Sequence, residues 1–378
     1  MPFTALAQKT EQQISFAQES KPHAYYVEQA ELWAKELAQD SLSENAWYNY
    51  FRACRNAHGT ADWKSDFVRE SPYLMEGETI VQLIHKHIPN TFTDHYLSYL
   101  TNGIGTSHSE DLLKAYSMNP NFPGIHSSVI SYAESSMDYS LRKKTNRTWY
   151  PTNYISSQLL NYSYNVLMSL DSNAILFVQH DNDTYPTWML QDALGVRTDV
   201  KVISIDFLLL ENYRETVYDQ LNILQLDLED IDSDEYHQNW EKVVAHIITN
   251  YTGSRPVYFG MTLFNHLYAD FENQLFVSGL ALRYSEEKQQ LAAFNKKLYE
   301  AIFLLDYLTH HFGYDKNQGN VNHQNINYIS CFKIVYDHYV AEGKDDEATQ
   351  VKSLALAIAN QTKNPELVTH IENEFNRK

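Results

Sequence analysis

The stretch Ala174-Ile-Leu-Phe-Val178, followed at once by Gln179-His-Asp-Asn-Asp-Thr-Tyr-Pro186, decides the fold class. A short run of β-branched and aromatic residues with polar residues after it is typical of a buried strand. The Asp, Asn and Thr side chains that follow favour helix starts, and proline fits a first helical turn. We therefore predict a buried strand over 174–178 that leads directly into a helix.

The same alternation of strand and helix continues to residue 284. Three further apolar runs are strand candidates, at 200–210, 256–262 and 276–284. Helical spacing lies between them, at 187–194, 211–221 and 240–248. Strands that alternate with helices predict βαβ units, so we expect an α/β domain with a mostly parallel sheet and crossover helices.

Paired short helices flank this region on both sides. The first pair carries Ala30 and Ala34 on one helix and Trp47 on the next, and we expect these three side chains to be buried in one hairpin. A second pair begins near Ser109, and a third covers 326–358. The pairs resemble tetratricopeptide-type repeats. Ordinary amphipathic helices in an all-α layer are the alternative, because the spacing is not a clean 34-residue period.

These patterns divide the chain into four regions. They are an N-terminal segment at 1–20, a helical-hairpin region at 21–150, an α/β domain at 151–290 and a C-terminal helical-hairpin region at 291–378. The first region contains Ala5-Leu6-Ala7, which resembles the end of a secretory signal peptide. We expect a signal-peptide remnant and hence a periplasmic or otherwise exported protein. In the alternative, these residues resemble a signal peptide only by chance, and the protein is cytoplasmic.

The composition excludes several classes of protein. The 29 basic and 48 acidic residues give a net charge of −19, which repels nucleic-acid phosphates, so we expect no nucleic-acid partner. No apolar run approaches the ~20 residues that span a bilayer, so we expect no transmembrane segment. The two cysteines, Cys54 and Cys331, lie in separate helical patterns, and buried free thiols are the expected state.

The residues after the predicted strand are the candidates for a binding site, because ligands of open α/β sheets bind at the carboxyl ends of strands. The ligand-binding candidates are His180, Asp181, Asn182, Asp183, Thr184, Tyr185, Trp188 and Arg197. Asp181 and Asp183 are also candidate ligands of a divalent cation, since hard cations prefer oxygen. Helix capping alone is the alternative, because one segment cannot supply the six or more oxygens that calcium takes.

No other cofactor is indicated by the sequence. It has no phosphate-binding loop, no dinucleotide fingerprint after the first strand and no Gly-x-Ser-x-Gly elbow. We therefore assign no catalytic residue from the sequence.

The motif at the strand end resembles a known family. Asp181-Asn-Asp-Thr-Tyr-Pro186, Trp188, Gly195-Val-Arg197 and Asp199-Val200 are similar to the soluble region of bacterial protein O-mannosyltransferase-like membrane proteins. Those proteins are of the glycosyltransferase-C type, and their functions are largely unassigned. Pro256-Val-Tyr-Phe259 is similar to a later strand of that family. The resemblance covers about residues 155–365 and implies the fold and an extracytoplasmic location.

The resemblance has two departures. This chain has His180 where the family usually has glycine. The membrane portion of the family, which should hold the lipid-linked donor and the catalytic acid, is absent from these residues. The resemblance therefore does not imply that this chain transfers sugars.

Together these observations lead us to expect a non-catalytic, exported binding or scaffold protein. The helical repeats would bind a protein or peptide, and the strand-end pocket would bind a glycan or another small polar ligand. The alternative is a glycan-metabolism enzyme, transferase-like or hydrolase-like, that uses Asp181 and Asp183. A second carboxylate or a histidine that converges on the motif would favour the enzyme, and a capped site would favour the binder.

Overall fold

The computed structural model describes residues 9–61, 71–103, 108–228, 236–310, 313, 315 and 317–376. The chain divides into two compact units, Met1–Glu134 and Ser135–Lys378. The expected signal-peptide remnant around Ala5-Leu6-Ala7 lies outside the described residues.

The first unit consists of helices in its described part. They are α1 (His23–Gln39), α2 (Glu44–Thr60), α3 (Gly77–His87), α4 (Phe92–Asn102), α5 (Ser109–Met118) and α6 (Ile125–Ser135). The predicted first hairpin is confirmed, because α1 packs along α2. The helices predicted near 109 and 124 are also confirmed, but α5 packs mainly against α4 rather than against α6.

Burial in the first hairpin follows the predicted face with one exception. Ala30 and Trp47 are buried as expected. Ala34 is only half-buried. The buried stripe of α1 runs through Ala30, Trp33 and Leu37, and Ala34 lies at the edge of that stripe.

The second unit combines a sheet with helices. Its helices are α7 (Tyr139–Trp149), α8 (Ser157–Met168), α9 (Asp181–Leu194), α10 (Glu211–Leu221), α11 (Tyr236–Asn250), α12 (Ala292–Lys297), α13 (Gln318–Asn325), α14 (Tyr328–Ala341), α15 (Asp345–Gln361) and α16 (Pro365–Glu374). Its strands are β1 (Ile175–Val178), β2 (Lys201–Ser204), β3 (Val257–Gly260), β4 (Leu275–Ser278) and β5 (Ala281–Tyr284). The α/β class is therefore confirmed, and α14 and α15 form the predicted C-terminal hairpin.

The five strands form one mixed sheet in the order β2-β1-β3-β5-β4. Strand β1 is parallel to both β2 and β3, whereas β5 is antiparallel to both β3 and β4. The prediction of a mostly parallel sheet is not confirmed. The predicted strand at 276–284 is in fact two strands with a tight turn at Gly279, and two strands joined by so short a turn must be antiparallel.

Gly279 explains why the chain turns at this point. Its φ is 58°, a conformation that side chains rarely adopt, and a Cβ there would collide with the side chain of Ser169. The amide of Gly279 donates to the side-chain oxygen of Asn295 at 2.6 Å. The hairpin is thus pressed against the neighbouring helices, and no other residue fits at the turn.

The order of the strands places a topological switch point beside β1. From β1 the chain passes through α9 to β2 on one side, and β3 lies on the other side of β1. Ligands of open α/β sheets bind at such a switch point, outside the carboxyl ends of the strands. We call the region after residues 178, 204 and 260 the carboxyl edge.

Both cysteines are buried free thiols, as predicted. Burial raises the pKa of Cys54 to about 11 and that of Cys331 to about 12. Neither thiol is therefore a thiolate near neutral pH, and neither has the reactivity of a nucleophile. Within the described ranges no helix combines the length and the apolar character needed to cross a membrane.

We predict that Trp47→Ala destabilises the first unit by about 3–5 kcal/mol, the usual cost of truncating a large core side chain. Trp47 is 5% exposed, stacks on His87 and donates from its indole nitrogen to the carbonyl of Ser41 at 2.9 Å. Chemical denaturation would measure the loss. Leu42→Ala is the control, because Leu42 is 68% exposed and its truncation should have little effect. Unchanged stability of Trp47→Ala would contradict the prediction.

Candidate functional site

The carboxylate of Asp183 lies between the carboxyl ends of β1 and β3. Asp183 stands in the first turn of α9 and is only 3% exposed. Its Oδ2 accepts hydrogen bonds from the hydroxyl of Thr262 at 2.6 Å and from the backbone amide of Gln179 at 3.3 Å. A Cβ at Gly260 would lie 3.0 Å from the same oxygen, so glycine at the end of β3 leaves room for the carboxylate. Asp183 therefore links the ends of two strands.

A second carboxyl group, that of Asp206, lies beside the first. Asp206 follows β2, and its Oδ2 accepts from the backbone amide of His180 at 2.8 Å. The imidazole Nδ1 of His180 is 3.9 Å from the same oxygen. Gln179 and His180 are consecutive, and their amides bind Asp183 and Asp206 respectively. The carboxyl groups are therefore neighbours at the end of β1.

The surroundings of Asp183 and Asp206 raise the pKa values of both carboxyl groups. Burial raises the pKa of Asp183 to about 6, and the negative charge of Asp206 adds to the rise. The hydrogen bonds from Thr262 and Gln179 oppose this shift only in part. Burial also raises the pKa of Asp206, whereas His180 and hydrogen bonds from the side chains of Gln179 and Ser204 oppose the rise. Within the described part of the chain, no Lys or Arg forms an ion pair with either carboxyl group.

His180 adopts a backbone conformation that is otherwise almost confined to glycine. Its φ is 65° and its ψ is 166°. Such a conformation costs a residue with a side chain on the order of 1–3 kcal/mol, and it persists only where the surroundings enforce it. The hydrogen bond from its amide to Asp206 is one such constraint. The strain places the half-exposed imidazole at the carboxyl edge.

Aromatic side chains form one wall of the edge. The ring of His180 packs edge-on against Phe264, with centroids 5.0 Å apart, and against Trp240, at 6.0 Å. Phe264 is 39% exposed, whereas Trp240 is buried. The amide of Phe264 donates to the side-chain oxygen of Gln179 at 3.3 Å, which ties this wall to the end of β1. The wall therefore offers an exposed apolar ring next to two carboxyl groups.

Of the predicted site residues, only His180 and Asp183 meet at the carboxyl edge. Asp181 is exposed, and Asn182 is partly exposed, with its carbonyl accepting from Gln324. Thr184 is buried. Asp181 and Asp183 therefore lie in different environments, one exposed and one buried. No group of three or more His, Cys, Asp or Glu suited to a metal ion occurs among the described residues.

The other three candidates, Tyr185, Trp188 and Arg197, make packing contacts or hydrogen bonds within the fold. Tyr185 packs edge-on against Trp149 and Trp188, and Trp188 is fully buried. Arg197 lies before β2, at the opposite edge of the sheet. Its guanidinium binds the carboxylate of Asp199 and donates to backbone carbonyls at the end of α8 and just after it. This arrangement lowers the pKa of Asp199 to about 2, chiefly through the hydrogen bond from Arg197.

The helix-capping alternative does not describe Asp183. The residue that precedes α9, His180, makes no side-chain capping bond. The two donors to Asp183, Gln179 and Thr262, lie outside that helix. The carboxylate thus faces the strand ends rather than the amides of its own helix.

Five further residues lie at the carboxyl edge and were not among the residues predicted from the sequence: Gln179, Asp206, Thr262, Trp240 and Phe264. A signal for two of them was present. Asp206 and Thr262 each stand two residues beyond the end of a strand, and the carboxyl ends of parallel strands meet at one edge. No comparable signal marks Trp240 or Phe264, since aromatic residues are frequent throughout the chain.

Comparison with known proteins links this region to one family. Residues 159–245 match the sequence profile of a family described as TMEM260-associated domain 2. The matched span begins in α8, ends in α11 and includes His180, Asp183 and Asp206. Thr262 lies beyond it. No curated protein and no solved structure matches the chain.

We predict a pH-dependent stability difference between Asp183→Asn and the parent protein. The pKa of Asp183 is raised in the folded state, so ionisation costs the folded state stability as the pH rises from the unfolded-state pKa through about 6. At about 1.4 kcal/mol per unit, the free energy of unfolding of Asp183→Asn relative to the parent should increase by roughly 2–3 kcal/mol between pH 4 and pH 8. Urea unfolding at the two pH values would measure this change.

Asp181→Asn is the matched control for this measurement, because Asp181 occupies the same helical turn but is exposed. The change with pH should be larger for Asp183→Asn than for Asp181→Asn, because of the two residues only Asp183 is buried. A difference for Asp183→Asn that stays constant between pH 4 and pH 8 would show that burial does not raise the pKa of Asp183.

Proposed function

We propose that this chain is a non-catalytic binding or scaffold protein that holds a small polar ligand of the glycan class at its carboxyl edge. One observation carries the proposal: polar groups from the ends of three parallel strands converge beside a half-exposed aromatic ring. Sugars present hydroxyl groups at their rims and apolar faces on their rings. Carboxylates accept from the hydroxyls, and an aromatic ring packs on the apolar face.

The family match and the resemblance of the sequence motif both fall on this region. The carboxyl edge falls largely inside the span that matches TMEM260-associated domain 2. The resemblance of the strand-end motif to protein O-mannosyltransferase-like proteins also favours a glycan. Neither similarity supplies a catalytic group to this chain, so our proposal is limited to binding.

A groove between α14 and α15 supports a second part of the proposal, the binding of a protein or peptide by the helical region. The groove has a volume of about 440 Å³, and Tyr336, Val340 and Leu356 contribute to its lining. Val340 is about half exposed. Asp345 and Lys352 place opposite charges on the same groove, which suits an extended peptide with both apolar and charged side chains.

One observation favours the alternative function, an enzyme of glycan metabolism. Asp183 has a pKa of about 6 and lies beside Asp206, whose pKa is also raised. Two neighbouring carboxyl groups with raised pKa values are suited to general acid and base catalysis. In this enzyme hypothesis the partner of Asp183 in the acid and base pair is Asp206 rather than Asp181.

Titration calorimetry against a panel of glucose, mannose, galactose and N-acetylglucosamine would test the glycan proposal. We expect at least one sugar to bind, and Asp183→Asn and Asp206→Asn to weaken binding about tenfold or more, because each removes a charged acceptor. Asp181→Asn is the matched control and should bind as the parent does. We expect no turnover of sugar nucleotides or glycosides.

Two outcomes would contradict this proposal. Reproducible turnover that Asp183→Asn or Asp206→Asn abolishes without unfolding the protein would establish the enzyme instead. Absence of binding to every sugar would leave Asp183 and Asp206 as structural residues, and the groove between α14 and α15 would become the surface to investigate.

We also propose that the protein is exported to the periplasm or beyond, as the Ala5-Leu6-Ala7 pattern suggests. Cell fractionation followed by immunodetection of the native protein would test this proposal. We expect the protein in the extracytoplasmic fraction. Detection in the cytosol alone would contradict export.

A further inference from the structure

A non-helical stretch of the chain lies against the hairpin of α1 and α2. We call residues 9–19 the strap, and it has neither helical nor strand structure. The side chain of Gln29 on α1 accepts from the amide of Glu11 at 2.8 Å and donates to the carbonyl of Lys9 at 3.2 Å. The indole nitrogen of Trp33 donates to the carbonyl of Glu11 at 3.0 Å. Helix α1 therefore binds the strap through its backbone.

Helix α2 holds the strap in the same way. The side-chain oxygen of Asn49 accepts from the amide of Gln13 at 2.6 Å. Asn56 accepts from the amide of Phe16 at 3.3 Å and donates to the carbonyl of Ile14 at 2.7 Å. Asn49 and Asn56 are two helical turns apart, so they lie on one face of α2. We call the surface that the four binding side chains form the backbone groove: Gln29, Trp33, Asn49 and Asn56.

The backbone groove recognises atoms that every polypeptide shares. Asn49 and Asn56 are 0% exposed, and Gln29 is 3% exposed. Buried amide groups need hydrogen-bond partners, and here those partners include backbone amides and carbonyls of the strap. A helix uses these backbone atoms internally, so the groove suits a peptide segment that is not helical. Main-chain hydrogen bonds of this kind give affinity without selecting a sequence.

Two side chains of the strap add selectivity. The ring of Phe16 lies so close to Gly59 that a Cβ there would be 2.5 Å from it, so glycine leaves the notch that the ring fills. The side chain of Gln13 is 3% exposed and donates to the carbonyl of Glu11 at 2.9 Å. The side chains at positions 9 and 12 are exposed. The strap thus presents a glutamine and, three positions later, an aromatic ring.

We propose that the backbone groove binds a non-helical peptide segment of a partner protein, and that the strap is its occupant within this chain. The favoured segment has a glutamine followed three positions later by an aromatic residue, as Gln13 and Phe16 stand in the strap. Residues 20–22 join the strap to α1 and are exposed, so the connection runs at the surface rather than through the core. The groove lies in the first unit, so this inference is independent of the functions proposed for the carboxyl edge and for the groove between α14 and α15.

The strap competes with a partner segment because it belongs to the same chain. A tethered segment has an effective concentration on the order of millimolar, so a free peptide binds the parent protein only weakly. Weakening the strap alone should therefore raise the affinity for a peptide that keeps all of the contacts. Phe16→Ala has this effect, since it empties the notch at Gly59 but leaves the four side chains of the backbone groove unchanged.

Fluorescence anisotropy of a labelled peptide with the sequence of residues 9–19, titrated with the full chain, would test the inference. We expect Phe16→Ala to bind this peptide at least about tenfold more tightly than the parent does. Lys9→Ala is the matched control and should bind as the parent does, because the side chain of Lys9 is exposed. If circular dichroism shows that Phe16→Ala is unfolded, Gln13→Ala replaces it as the strap variant and should give the same gain.

A second peptide, methylated on the backbone nitrogen of Gln13, tests recognition of the backbone. It lacks the hydrogen that Asn49 accepts, so its affinity for the strap variant should fall at least about tenfold. Equal affinity of the two peptides would overturn the proposal, and so would equal binding to the parent and the strap variant, or binding to neither. A dimer of the parent that the peptide dissociates, measured by light scattering, would make the strap of a second copy the occupant in place of a partner protein.

Discussion

All four side chains of β1 are buried, and the strand is parallel to its neighbour on each side. A strand with these properties needs apolar cover on both faces, so helices must pack above and below it. Parallel pairing also requires each connection to return across a face of the sheet. The only place where polar groups can gather next to β1 is therefore at its ends. The position of the candidate site follows from the burial of this one strand.

Buried polar side chains then hold the helices to the sheet and to one another. Asn165 on α8 donates to the carbonyl of Leu304 and to the hydroxyl of Tyr328, and it accepts from the amide of Leu304. Asp192 on α9 binds Arg142 and a second side chain of α7. Each of these groups has specific partners, and truncation of one partner would leave the other buried and unsatisfied. The C-terminal helices and the α/β region thus form one compact unit.

The carboxyl edge departs from this pattern of mutual satisfaction. Asp183 is buried without a cation, and His180 is held in a conformation that suits glycine. Proteins tolerate such departures mainly at functional sites, where the stability that is given up prepares a surface for its ligand. The two departures lie within a few residues of one another, whereas Trp188 and Arg197 are fully engaged in the fold. This contrast is the physical reason why we propose the carboxyl edge as the functional site.

The sequence alone determined the elements whose signals are local. The apolar run at 174–178 specified β1, and helical spacing specified α10, α14 and α15, because the periodicity of buried positions is written directly in the chain. The motif at the strand end located His180 and Asp183 in the same way.

The tertiary structure alone decided the order of the strands and the partners of the site residues. The turn at Gly279 reversed a strand because of its contact with Ser169, 110 positions away by residue number. Thr262 and Asp206 joined Asp183 because parallel strands align their carboxyl ends, and Arg197 went to the opposite edge because it precedes its strand. Strand order and the partners of a buried charge are long-range properties, and no local pattern of residues encodes them.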